Sequence, residues 1–323
     1  MTSLAAADNW LDRTHVGDSA RLLRQMQADG VRVQMCVTSP PYFRLRSYLP
    51  PDHPDKALEI GIESTPGAFI SSLVSVFREV RRVLAEDGTL WVNIGDGYTA
   101  TGKSGGGKQG ARWERYGARA VGPRGGRWSP APPGLKPKDL LGIPWLLAFA
   151  LRQDGWYLRQ DIIWAKPNPM PESVRDRCTR SHEHLFLLSK SKRYHFDNAA
   201  IREPSTDPRG PGNVRPVRQP PGERGSGPNA NLRGNLHRIT ARPTRNRRDV
   251  WSIASRAFKG SHFAVFPQEL VALCILAGSR PGDTVLDPFM GSGTTAAVAL
   301  RLQRHFIGCE LNGSFLDLQH LHR

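Results

Sequence analysis

Four cysteines in 323 residues are few, and Cys36, Cys178, Cys274 and Cys309 stand far apart with no Cys-x-x-Cys pair. A zinc ribbon or a dithiol redox centre therefore has no support. His182 and His184 sit close together without a third ligand nearby, so no metal is expected. Long apolar runs are missing too, as is a basic-then-apolar leader. No membrane partner and a cytoplasmic location are the resulting expectations. Internal repeats are absent. Acidic residues are scarce in two places above all. Residues 101–138 carry nine Lys/Arg against one Glu, and residues 201–250 carry eleven Arg against four acids. Most of the formal net charge of +16 lies there, and the remaining sequence is close to neutral. Both stretches are rich in Gly and Pro and lack helix or strand periodicity. They read as long basic loops of a polyanion binder, or as solvated linkers. Trp113, Tyr116 and Trp128, interleaved with the arginines of the first, favour the binder.

Between the basic stretches the pattern is that of a parallel α/β sheet. An amphipathic helix is predicted over Ala20–Gln27, and Asp18 or Ser19 can cap it. The run Val31–Val37 has strand alternation. Pro66–Ala85 places Phe69, Leu73, Val76, Phe77, Val80 and Leu84 on one helical face, and Asp87-Gly88 is predicted to end it. Thr89–Ile94 is a strand. A helix is predicted over Lys138–Gln153. The strands Gly155–Trp164 and His184–Ser189 are predicted as an antiparallel extension of the sheet. Helix, strand, helix and strand resume between Pro267 and Glu310. Residues 97–104, Gly-Tyr-Thr-Ala-Thr-Gly-Lys-Ser, match the P-loop pattern, but Gly105-Gly106-Gly107-Lys108-Gln109-Gly110 is no helix start. A basic loop is expected there rather than a triphosphate site.

Two stretches carry chemistry. The first is Thr38-Ser39-Pro40-Pro41-Tyr42 at the end of a strand. Consecutive prolines stop the strand and remove two donors, leaving carbonyls free beside a hydroxyl and an aromatic ring. Taken alone, it also reads as a plain turn. The second is Asp287-Pro288-Phe289-Met290-Gly291-Ser292-Gly293-Thr294-Thr295 between the strand Thr284–Asp287 and a helix over Ala296–Leu302. Strand, glycine turn and helix form a nucleotide-cradling unit, and no Lys follows the glycines as a P-loop requires. The next strand, His305–Glu310, ends in an acid about 20 residues on, where such folds bind ribose hydroxyls.

Together, Ser39-Pro40-Pro41-Tyr42 and Asp287–Thr295 resemble the amino-methylating DNA methyltransferases over roughly residues 15–195 and 249–320. The glycine block follows the tetrapeptide, so the resemblance is to the permuted β class. It implies a Rossmann-like S-adenosylmethionine-dependent methyltransferase fold: α/β, with a mixed seven-stranded sheet, circularly permuted, and an inserted basic DNA-recognition region. The implied organisation is a catalytic part over 1–195 with the basic loop 101–138, a target recognition region over 196–248, and a cofactor-binding part over 249–323. Ser39, Pro40, Pro41 and Tyr42 are the implied catalytic residues. Ser39 Oγ and the Pro40 carbonyl would hold the amino hydrogens, and Tyr42 would stack on an extruded base. Asp287, Phe289, Gly291, Ser292, Gly293, Thr294, Thr295 and Glu310 would line the cofactor S-adenosylmethionine, with Glu310 on the ribose. Asp18, in the block resembling Gly17-Asp18-Ser19, would lie by the adenine, and Phe263 and Pro267 would flank the methionine end. Arg112, Arg115, Arg215, Arg218, Arg233, Arg245 and Arg247 are the DNA-binding candidates. Ser before Pro-Pro-Tyr points to cytosine-N4, with adenine-N6 as the alternative. An RNA methyltransferase and a non-catalytic basic nucleic-acid-binding module on the same fold are the other classes. The implied partners are double-stranded DNA and a cognate restriction endonuclease, for a monomer or homodimer.

Overall fold

The computed structural model describes residues 8–99, 134–205, 243–255 and 267–319, with the backbone of 119–120. Two compact units divide the chain: Met1–Phe196 with Asp249–Arg323, and Asp197–Arg248. In chain order the larger unit holds β1 (Arg13–Val16), α1 (Ser19–Ala28), β2 (Val33–Thr38), β3 (Arg46–Ser47), α2 (Pro66–Val83), β4 (Leu84–Ile94) and β5 (Arg119–Ala120). There follow α3 (Ile143–Gln153), β6 (Tyr157–Ala165) and β7 (His182–Ser189). The smaller unit contributes β8 (Glu203–Pro204) and β9 (Thr244–Arg245), paired antiparallel. The larger unit resumes with β10 (Val250–Ser252), α4 (Gln268–Gly278), β11 (Thr284–Asp287), α5 (Thr294–Arg301) and β12 (His305–Glu310).

The main sheet has eight strands in the order β1-β12-β11-β2-β4-β7-β6-β10. Only β7 runs antiparallel to its neighbours. Seven strands form the mixed sheet that the resemblance implied, and the three-residue β10 adds an eighth beside β6. Among the described residues the first strand pairs with the last, Val16 opposite Glu310. The permutation is thus visible as an edge completed from both ends of the sequence. Both faces are covered, which is why β2, β4 and β11 read as apolar runs. On one face α1, α2 and α3 pack Leu23, Met26, Phe69, Leu73, Phe77, Val80 and Leu147 against Cys36, Leu90, Val92 and Leu286. On the other, a Cβ added to Gly278 of α4 would lie 3.0 Å from Met35 Sδ, Thr89 Oγ1 and Trp91 Nε1. Each large apolar side chain so buried contributes about 1.5–3 kcal/mol.

Two boundaries differ from expectation. Helix α2 starts as predicted, with Thr65 Oγ1 accepting from Ala68 N at 3.2 Å and Pro66 in the first turn. It stops at Val83, and β4 begins at Leu84, ahead of Asp87-Gly88. The carbonyls of Asp87 and Gly88 accept from His195 N and Lys190 N, so tertiary pairing draws this turn-like dipeptide into the strand. Helix α3 starts at Ile143, not Lys138. Gly142 is left-handed at φ 71°, and the Asp96 carboxylate accepts from Gly142 N and Ile143 N at 3.1 and 3.2 Å. The cap comes from a distant loop, so local sequence does not reveal it.

Candidate active site

Strands β11 and β2 are neighbours whose onward connections run to opposite sides, which opens a crevice at their carboxyl ends. Both motif stretches begin there. Thr38 Oγ1 donates to Asp287 Oδ1 at 2.6 Å across 249 positions of sequence. The same carboxylate accepts from Phe289 N at 3.0 Å and from Thr295 Oγ1 at 2.6 Å. Asp287 and Thr295 are 1% and 0% exposed, and burial pushes the Asp287 carboxyl up to about 6. Neither is among the residues that line the cavity described below: both stand behind the turn and hold it in shape.

The glycine turn needs its glycines for conformation. Gly291 and Gly293 have φ of 53° and 83°, where a Cβ is strained. Gly293 precedes α5, and a Cβ on it would also come within 3.2 Å of the Gln319 side chain. Gly291 N donates to Glu310 Oε2 at 2.8 Å, and Asn312 N to Glu310 Oε1 at 2.9 Å. Burial outweighs these bonds and raises the Glu310 carboxyl to about 7. Asp18 serves as the cap, accepting from Arg21 N at 2.8 Å, and lines the cavity as well. Ser19 Oγ donates to the Pro288 carbonyl at 2.6 Å, tying α1 to the turn.

One cavity of about 600 Å³ joins the two motifs. Asp18, Phe289, Gly291, Ser292, Thr294 and Glu310 line one part, and Ser39, Pro40, Pro41 and Tyr42 another. Pro267 caps α4 outside the lining. Phe263, Arg112, Arg115, Arg215, Arg218 and Arg233 lie outside the described residues, as do Trp113, Tyr116 and Trp128. In the smaller unit, Arg245 Nε donates to Glu203 Oε1 and Arg247 Nε to the Ile201 carbonyl, both at 2.8 Å. His184 pairs through Nδ1 with Asp161 at 3.0 Å.

Among the lining residues that escaped the sequence reading are Asn93, Trp164, Lys166 and Glu183. Tyr42 Oη donates to Glu183 Oε2 at 2.5 Å, and Asn93 Nδ2 donates to the same oxygen at 3.1 Å. Lys166 pairs with Glu183 and stands 4.3 Å over the Trp164 ring. Burial and Glu183 together hold the Tyr42 phenol well above its usual range, so it stays protonated. A Cβ on Gly95 would lie 2.8 Å from Tyr42 Cε2, so this glycine gives the ring its place. A signal was available for Trp164 and Lys166. Lys166-Pro167 stops β6 much as Ser39-Pro40 stops β2, at the same sheet edge. Glu183 gave none, because it lies at the start of a strand. It reaches the edge only because β7 runs backwards.

Comparison with known proteins agrees with this geometry. A profile of the DNA methylase family matches residues 33–320. The type II methyltransferase M.SmaI of Serratia marcescens is 45% identical over 303 residues, covering 94% of this chain and 87% of that protein. M.Cfr9I of Citrobacter freundii is 46% identical over 304 residues, covering 94% and 84%. Among solved structures, the cytosine-N4-specific PvuII DNA methyltransferase shares the fold at a TM-score of 0.57 and 16% identity, covering 95% of this chain and 84% of that one. A DNA modification methylase of Thermus thermophilus complexed with S-adenosyl-L-methionine does so at 0.52 and 23%, covering 95% and 90%. The chain belongs to the DNA methylase family and is an amino-methylating DNA methyltransferase.

The residues fit the family's cofactor, S-adenosylmethionine. Phe289 and Phe315 offer apolar faces to a purine, and the Glu310 carboxylate can accept from a ribose diol. Asp18 and Glu310 make this part of the cavity acidic, which suits a sulfonium and repels a triphosphate. A pH dependence follows. With its pKa raised from about 4.3 to about 7, Glu310 contributes stability present below the unfolded value and lost as pH rises through 7. A diol that needs the carboxylate competes with that proton. Calorimetry is expected to show affinity for S-adenosylhomocysteine falling about tenfold from pH 8 to pH 6, and a pH-flat affinity in Glu310→Gln.

Proposed function

We propose that the protein methylates the exocyclic N4 of a cytosine extruded from duplex DNA. The observation that carries this reading is the neutral hydroxyl of Ser39 heading Pro40-Pro41-Tyr42 inside the cavity shared with Glu310 and the glycine turn. Cytosine presents an amine whose lone pair is delocalised into the ring. Ser39 Oγ and the Pro40 carbonyl, both acceptors, can hold its two hydrogens and favour the tetrahedral form. Tyr42 and Trp164 supply aromatic faces in the same cavity. S-adenosylmethionine supplies an electrophilic methyl group on sulfur. The chain's own work is then orientation and exclusion of water, with no covalent enzyme intermediate. The relatives M.SmaI and M.Cfr9I, named type II methyltransferases, support a restriction–modification role beside a cognate endonuclease.

The deciding experiment is transfer of tritium from labelled S-adenosylmethionine to duplex DNA, followed by nucleoside chromatography. Label is expected in N4-methylcytosine. Label in N6-methyladenine would overturn the choice of base, and label in RNA alone would overturn the choice of polymer. We assign target reading to residues 197–248 and backbone contact to 101–138. DNA affinity is then expected to fall steeply with salt as counterions are released. A chain lacking 197–248 that still methylated one fixed sequence would refute the assignment.

A further inference from the structure

The loop between β6 and β7, residues 166–181, carries an apolar side chain out into water. Met170 is 78% exposed, the most exposed large apolar residue among those described, and it also lines the cavity that holds Tyr42 and Trp164. A residue can do both only at the rim. A lone exposed methionine needs no explanation on a protein surface. The backbone beneath this one sets it apart. Met170 stands between Pro169 and Pro171. Each proline fixes its own φ and biases the residue before it, Asn168 or Met170, to extended backbone. The segment is also pinned on both sides. Asn168 Nδ2 donates to the Ser255 carbonyl at 2.8 Å, and Ser255 N donates back to Asn168 Oδ1 at 2.9 Å. This ties one end to the chain just past β10. At the other end Glu172 accepts from Arg180 N at 3.2 Å and from Arg177 Nη1 at 2.6 Å. Arg180 Nη1 in turn donates to the Asp96 carbonyl, just past β4. Met170 is thus held at the middle of a short bridge across the cavity rim.

Holding an apolar side chain in water on a fixed bridge gains nothing for the fold. It becomes favourable once a ligand covers that side chain. With duplex DNA as the substrate, the cavity mouth faces a helix from which one base has been drawn out. Extrusion leaves a gap in the base stack and an orphaned partner base. Proteins that open a base step fill it with an apolar side chain, methionine among them. An unbranched, polarisable thioether adapts to such an irregular gap. Pro169 and Pro171 have no N–H, so the tripeptide brings a single backbone donor toward the bases. A backbone already fixed also lowers the ordering cost of binding. We infer that Met170 is a wedge that enters the duplex at the target pair, fills the space left by the extruded cytosine and holds the pair open. This rests on the reading of the substrate as duplex DNA with an extruded cytosine. Arg180 lines the same cavity and supplies a cation for the phosphates beside the gap. Leu45 and Leu58 also line it, at 48% and 47% exposure, but prolines frame neither of them. Met170 is a positioning residue: it acts on the duplex and leaves the reacting atoms to Ser39 and Pro40.

The test uses the full-length protein with Met170→Ala and Met170→Leu. The substrate is a duplex carrying the sequence that the parent methylates, with the target cytosine opposite guanine or mismatched opposite adenine. Each variant is compared with the parent on the same duplex. Transfer is read by single turnover, extrusion by a fluorescent cytosine analogue that pairs with guanine, and cofactor binding by calorimetry with S-adenosylhomocysteine. On the matched duplex Met170→Ala is expected to lose about 10- to 100-fold in transfer rate, with a parallel loss of extrusion, because the wedge no longer offsets unpairing and unstacking. On the mismatched duplex, whose target pair is already weak, the loss is expected to shrink to about threefold or less. Met170→Leu keeps an apolar side chain of similar volume and is expected to stay within about threefold of the parent on both duplexes. Cofactor affinity is expected to match the parent in both variants. Parental transfer by Met170→Ala on the matched duplex would overturn the wedge. An equal loss on both duplexes would overturn it too, leaving Met170 as a wall of the cavity. Methyl on adenine in the parent protein would refute the cytosine reading alone, and the same comparison of matched with mismatched duplex then decides the wedge at that base. A parent that methylates only single strands would overturn the wedge together with the duplex reading, because no pair then has to be opened.

Discussion

Ser39→Ala is expected to lower the single-turnover rate of methyl transfer about 10²- to 10³-fold, the scale of removing one preorganised polar contact from a water-excluded site. The hydroxyl lines the cavity, and the variant removes a side-chain acceptor for the amine. Fold and cofactor affinity are expected to hold. Ser39 lies beyond the end of β2, where the two prolines keep the backbone in place, and Glu310 lines the other part of the cavity from the end of β12. Methyl transfer at the parental rate would mean that Ser39 is a turn residue and that the Pro40 carbonyl holds the amine alone. Ser39→Asp checks the choice of base in the same assay. A charged acceptor suits adenine-N6 chemistry, so some methyladenine is expected among its products.

The second large effect is on stability. Asp287→Ala leaves the buried hydroxyls of Thr38 and Thr295 and the part-buried N–H of Phe289 without their acceptor. Each unsatisfied buried group costs about 1–3 kcal/mol, so a loss of about 3 kcal/mol or more is expected in urea unfolding. The same change cuts the bond that holds the two motifs together, and cofactor affinity is expected to fall with it. Asp287→Asn separates charge from hydrogen bonding. Its carbonyl oxygen can still accept from Thr38 and Phe289 N, and the Thr295 hydroxyl can turn to accept from the amide. The sign of the pH dependence follows from the raised carboxyl. Asp287 stands at about 6 when folded and near 3.9 when unfolded, so its contribution is intact below about pH 4 and is lost as pH rises through 6. The difference in stability between parent and Asp287→Asn is therefore expected to move toward the variant, by on the order of 2 kcal/mol, between about pH 4.5 and 7.5. Glu310 adds a trend of the same sign to both proteins, smaller in the variant because the Asp287 charge helps raise its carboxyl. A pH-independent difference would show that Asp287 is not the buried proton-holding group described.

Much of this protein was legible in its amino-acid order. Apolar periodicity, β-branched runs and helix caps are local, so α1, α2, β11, α5 and β12 follow from short windows of sequence. The two motifs are equally local, because a strand stopped by Pro40-Pro41 and a glycine turn before a helix need nothing distant to form. That is why Ser39, Tyr42, Gly291 and Glu310 could be named as candidates beforehand; most of the P-loop-like stretch 97–104 lies outside the described residues. Tertiary structure decided whatever depends on partners far along the chain. It made Asp287 a hub joining the two motifs, because Thr38 lies beside it only in the folded sheet. It started α3 at Ile143, because the cap is the carboxylate of Asp96. It drew Asp87-Gly88 into β4, because Lys190 and His195 pair with their carbonyls. It also brought Glu183, at the beginning of the one reversed strand, to the edge where Ser39, Asn93 and Lys166 end theirs. A residue's place along a strand is written in sequence, but the direction of that strand in the sheet is set by pairing between segments far apart, and no local pattern encodes it.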